Sequence, residues 1–202
     1  MNQRISVTRA NLLYLLCILL VAIVGSITQA ASPTWGLLFT EVALILVPAL
    51  LAMRISRVSI RPILRPNFPQ IRLSAACFFL GVSAWLLDGY AESVINQIIY
   101  LVFKATPLGL SILPKNMGQA ILYALGFVIF APICEEILFR GTIQRAYQPL
   151  GAIASILIPG SLFALFHMRL LGLIPLLPIA LLISYVYHRT ESLAASMLVH
   201  LG

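Results

Sequence analysis

The chain alternates long apolar runs with short basic ones, and the length of those runs is what most restricts its fold. A helix that crosses a bilayer needs roughly 20 mostly apolar residues. Runs of that order fall at residues 11–31, 35–53, 72–90, 117–147, 151–168 and 170–188, and another begins near residue 192. Composition leaves no soluble alternative: of 202 residues, 61 % are hydrophobic and 9 % charged, and the mean hydropathy is +1.02. Soluble domains carry about 25 % charged residues, enough to cover a surface that this chain could not cover. The expected class is all-α, a polytopic transmembrane helical bundle of about seven spans, with the last one cut short at Gly202.

Basic residues set the expected orientation. Arg4 and Arg9 precede the first span, and Arg54, Arg57, Arg61, Arg65 and Arg72 fill the loop after the second. By the positive-inside rule both places face the cytoplasm, with the N-terminus inside. Pro62, Pro66 and Pro69 mark that loop as non-helical. The segment 91–116 then lies outside, and reads either as a short interfacial helix (Ala91–Phe103) plus a loop or as a further partial span. The domain division is 1–116, N-terminal membrane helices with the basic loop 54–72, and 117–202, a C-terminal core.

Other classes fall away. The net charge of +7 sits between apolar runs without interleaved aromatics, so no nucleic-acid partner is expected. Membrane lipid and a peptide or protein are the expected partners. Cys17, Cys77 and Cys134 are odd in number and lie in apolar runs, as small core residues do. Ala30-Ala31-Ser32 resembles a signal cleavage site, but the spans that follow favour a retained first helix.

The chemistry concentrates where charge is least welcome. An Asp, Lys or Arg at the centre of a spanning helix costs about 2.5–3.5 kcal/mol, so ionisable groups there need partners or water. Residues 131–141 read "APICEEILFRG". Glu136 and Arg140 are one turn apart and can pair, which leaves Glu135, about 100° round the helix, to face something else. From the 1.5 Å rise, Glu135 lies roughly 18 Å, His167 about 24 Å and His200 roughly 12 Å from the cytoplasmic end. A carboxylate pair and two imidazoles on three helices therefore share overlapping depths. His188, beside Arg189, reads as juxtamembrane.

Glu135-Glu136-x-x-x-Arg140, Phe163-x-x-x-His167 and then His200 form an ordered series that resembles the CPBP family of intramembrane proteases, which includes type II CAAX prenyl endopeptidases and the bacteriocin-processing or immunity (Abi) group. The resemblance covers roughly residues 117–202. It implies Glu135 as general base, His167 as its partner in activating water, and His200 as an oxyanion stabiliser. Glu136, Arg140 and Phe163 are implied as supporting residues, and the place implied is a bacterial or archaeal cell membrane. The family's third motif is His-x-x-x-Asn, and its Asn would fall two residues beyond Gly202. We expect a longer natural protein, the alternative being a form with half its oxyanion hole. Glu135, Glu136, His167 and His200 are also residue types that could ligate a divalent metal such as zinc. HExxH is absent, and a metal-free mechanism is equally compatible. The function implied is an intramembrane endopeptidase acting on a CAAX-type or bacteriocin-like substrate; the alternative is a non-catalytic peptide-binding or immunity protein of the same fold.

Overall fold

The computed structural model describes residues 4–59, 69–104, 114–169 and 171–202. Among them the chain forms seven helices and no strand, the all-α bundle expected. They are α1 (Val7–Ala31), α2 (Pro33–Ile55), α3 (Ile71–Phe103), α4 (Met117–Leu150), α5 (Ala152–Phe166), α6 (Leu173–Thr190) and α7 (Leu193–Leu201). Five of these, α1 to α4 and α6, are long and apolar enough to cross a membrane. At 15 and 9 residues, α5 and α7 are shorter than a span requires.

Local chemistry sets the boundaries. The Ser6 hydroxyl accepts from Arg9 N (3.3 Å) and caps α1. Asn116 caps α4 by accepting from Gln119 N (2.9 Å), while the Gln119 side chain accepts from Lys115 N (2.8 Å). This reciprocal arrangement satisfies two amides near the helix start. Ser192 caps α7 through Ala195 N (3.2 Å). At the other ends, Arg57, Lys104, Met168 and Glu191 take left-handed conformations that stop α2, α3, α5 and α6, a common way to close a helix.

Two expectations change here. Residues 91–103 are not a separate interfacial helix but the second half of α3, which runs unbroken through 33 residues. At 1.5 Å per residue that is about 50 Å, well beyond a hydrocarbon core of about 30 Å. In the loop after α2, Arg54 ends that helix and Arg72 opens α3, whereas Arg61, Arg65, Pro62 and Pro66 lie outside the described residues.

The core is built round the C-terminal half of α4. Residues from Ala131 to Tyr147 are buried almost without a break, packed against Tyr14 and Cys17 of α1, Ile45 and Met53 of α2, Phe163 and Phe166 of α5 and Tyr187 of α6. The three cysteines are buried and free. Outward faces are apolar instead: Leu12, Leu16, Leu19 and Ile23 of α1 are each at least half exposed, as lipid contact demands. In α3 only Cys77 and Gly81 are buried. A Cβ at Gly81 would overlap the Val199 carbonyl, so this glycine is what lets α3 lie against the backbone of α7.

Helix α2 widens to π geometry over Thr40–Leu46, and α4 does so over Leu125–Phe130 and again over Phe139–Gln144. Pro48 and Pro132 follow the first two of these segments by two residues. A proline lacks the amide proton and crowds the carbonyl one turn back, which disturbs regular α-helical pairing at that place. Pi-turns are frequent at functional sites, and here two of them bracket the Glu135-Glu136 turn.

Candidate active site

Glu136 and Arg140 form the anchor. Both side chains are fully buried, and Arg140 Nη1 donates to Glu136 Oε1 at 2.7 Å. The other end of the guanidinium reaches α6, where Nη2 donates to Ala180 O (3.1 Å) and Ser184 Oγ (3.4 Å). One turn on, Gln144 Nε2 donates to Ser184 O (2.8 Å). The guanidinium also lies over the Phe163 ring, 4.5 Å from its centroid. A cation so enclosed needs all of this, because an unpaired buried charge is far costlier than a paired one.

His200 of α7 joins the pair. Its Nδ1 lies 3.0 Å from Glu136 Oε1. A carboxylate already held by arginine can only accept, so Nδ1 carries the proton and Nε2 is left to face Glu135, whose Oε2 lies 3.7 Å away. Ser196 of the same helix donates its hydroxyl to Leu193 O (3.0 Å). The two neighbouring glutamates thus have different situations. Glu136, fully buried, accepts twice at Oε1, whereas Glu135, 7 % exposed, has no arginine partner; the Oε2 of each lacks a hydrogen bond.

His167 sits at the C-terminal cap of α5. Its Nδ1 lies 3.0 Å from Phe163 O, an acceptor, so this imidazole too presents an unprotonated Nε2. The Phe163 ring touches both imidazoles, with centroids 4.9 Å from His167 and 5.4 Å from His200. Glu135, Glu136, Arg140 and His200 are therefore brought together directly, and His167 adjoins them through Phe163. His188 stays apart, its Nδ1 3.3 Å from Ser155 Oγ.

Two acids escaped sequence reasoning. Glu41, on the π segment of α2, is 4 % exposed, lies within electrostatic reach of Glu135 and Cys134, and has an Oε2 without a partner. Asp88 of α3 lies within electrostatic reach of Glu92, Arg169 and His167, and Arg169 pairs with Glu92. The signal was there: a lone carboxyl inside an apolar run is expensive unless it is used.

The donor set fits a metal poorly. Glu136 Oε1 is occupied by Arg140 and His200, and His200 turns its protonated Nδ1, not a lone pair, toward it. Among the described residues no three of His, Cys, Asp and Glu are grouped to hold a metal ion. The four candidate ligands are therefore not arranged as a ready-made zinc site.

The C-terminal region provides the deciding comparison. Residues 117–202 match the family model described as type II CAAX prenyl endopeptidase Rce1-like. This part of the chain is similar to the Rce1-like family. That family is one of membrane proteases, and the site residues on α4, α5, α6 and α7 all fall within the Rce1-like region, with Glu41 and Asp88 outside it. Searches of curated proteins and of solved structures find no match.

Proposed function

We propose that this protein is an intramembrane endopeptidase that hydrolyses a peptide bond of a membrane-associated substrate, with Glu135 as the base. A CAAX-type C-terminal segment is the substrate class that the family description names. The observation that carries the reading is the asymmetry of the glutamate pair. The fully buried Glu136 has its Oε1 spent on Arg140 and His200, whereas Glu135 forms no arginine pair and sets its Oε2 3.7 Å from an imidazole nitrogen.

The chemistry follows from that geometry. Water lying against Glu135 loses a proton to Oε2 as its oxygen bonds to the scissile carbonyl carbon, and the carbonyl oxygen takes the negative charge. Glu135 then returns the proton to the amide nitrogen, the C–N bond breaks, and an acid and an amine leave. His200 Nε2, 3.7 Å from Glu135 Oε2, is placed to share that proton; as an imidazolium it becomes a donor to the oxyanion. An oxyanion donor of this kind is worth about 10²–10³ in rate. Glu136 keeps His200 in the required tautomer, and Phe163 packs against the rings of both His167 and His200. In this reading 117–202 is the catalytic core and 1–116 supplies packing helices. The N-terminus lies in the cytoplasm, on the side where Arg4, Arg9, Arg54, Arg57 and Arg145 gather.

The test compares new peptide ends in the membrane fraction of cells carrying the protein with those of cells carrying Glu135→Gln. Ends that vanish in the variant support the protease reading and reveal the substrate. Identical profiles, with a prenylated CAAX peptide also left uncut by the purified protein, overturn it.

A further inference from the structure

The arginines near the start of α1 do more than orient the chain. Arg4, just before α1, Arg9, in its first turn, and Arg57, in the left-handed turn after α2, line one cavity of about 530 Å³ together with Ile55 and Ser56. The volume lies within the ~300–1,000 Å³ typical of small-molecule sites. The three cations come from two segments far apart in sequence, and none has an acidic partner among the described residues. Topology needs only a count of basic residues on one side; it does not need them to converge. Arg9 Nη1 donates to Ser56 Oγ at 3.4 Å, so the convergence is held by a contact between α1 and the end of α2.

The surroundings say which anion fits. The cavity lies at the ends of two helices of membrane-crossing length, where hydrocarbon gives way to headgroups. Below it the surface turns apolar: Leu12 and Leu16 follow Arg9 by three and seven residues and are 61 % and 50 % exposed, and Ile55 and Leu51 are 75 % and 51 % exposed. A guanidinium fork recognises phosphate oxygens in pairs, and these apolar faces suit acyl chains. A soluble anion would have no use for them.

We propose that this cavity binds the phosphate of an anionic phospholipid headgroup, with its acyl chains lying on the exposed faces of α1 and α2. The site is separate from the glutamate–histidine cluster and does not depend on the protease reading. The measurement is native mass spectrometry of the full chain in detergent micelles, titrated with phosphatidylglycerol, with phosphatidylcholine of the same acyl chains, or with inorganic phosphate. One phosphatidylglycerol should bind more tightly than phosphatidylcholine. Arg9→Gln and Arg57→Gln should each weaken it by about five-fold, the share of one basic residue at an anionic surface. Arg54→Gln, which removes the same charge beside the cavity without lining it, should leave binding within two-fold, about the noise of such an energy. Equal losses in all three variants would mean a diffuse field and overturn the site. Equal binding of the two lipids would overturn the anionic headgroup. Binding of inorganic phosphate as tight as that of phosphatidylglycerol would overturn the lipid assignment in favour of a soluble phosphate.

Discussion

Replacing Arg140 with leucine tests the centre of the site most sharply. The side chain is wholly buried and serves Glu136, Ala180 O and Ser184 at once. Arg140→Leu leaves Glu136 buried with only the His200 Nδ1 hydrogen bond, and removing one partner of a buried pair costs about 3–5 kcal/mol. The double variant Glu136→Leu/Arg140→Leu should behave differently. Exchanging a whole buried pair for apolar side chains is often neutral or stabilising by 1–4 kcal/mol. Here His200 also loses the acceptor of its Nδ1, a loss of about 1 kcal/mol. The double variant should therefore recover at least about 2 kcal/mol of what Arg140→Leu loses, although His200 no longer has its tautomer set and cleavage stays absent. Reversible unfolding in mixed micelles measures both values. An Arg140→Leu protein within about 1 kcal/mol of the original, or a double variant no more stable than the single one, would refute the ion-pair account.

Other outcomes follow from the same contacts. Glu135→Gln should abolish cleavage while changing unfolding free energy by less than about 1 kcal/mol, because its Oε2 has no hydrogen bond to lose; a larger loss would make Glu135 structural. Glu41→Leu should leave stability unchanged or raise it by about 1–3 kcal/mol, the penalty of an unsatisfied buried polar group; a destabilised variant in the same unfolding assay would reveal a partner for that carboxyl. Gly81→Ala should destabilise by about 1–3 kcal/mol, since its methyl overlaps the Val199 carbonyl and forces α7 outward. The same substitution should lower cleavage through His200, one residue from Val199, and unchanged activity would sink that coupling. Phe163→Leu should lose about 0.5–1.5 kcal/mol for each broken aromatic contact and reduce kcat more than KM; the reverse split would place Phe163 in substrate binding.

Much of the architecture was readable because its causes are local. Spans follow from the length of apolar runs, and helix starts follow from Ser6, Asn116 and Ser192, each capping an amide three residues on. The Glu136–Arg140 pair was legible for the same reason, since one helical turn brings the two together wherever the helix sits. Residues 91–103 read two ways because Asp88, Glu92 and Asn96 interrupt the hydropathy of α3 without interrupting its backbone, which continues to Phe103. Polar side chains do not end a helix; the left-handed Lys104 does.

By itself the sequence determined the class of apolar helical bundle, the order of the helices and the motif series of two glutamates and two histidines. Tertiary structure alone decided how those groups meet. His200 approaches Glu136 across 64 residues of chain, Phe163 stands between the imidazoles, and Glu41 arrives from a helix outside the motif series. Depth along a helix comes from counting residues. Rotation about its axis and approach to its neighbours come from the packing of many side chains at once, from the glycine that lets α3 meet α7 to the π-turns that reset the faces of α4. That packing is why one of two adjacent glutamates is locked to an arginine and the other faces an imidazole.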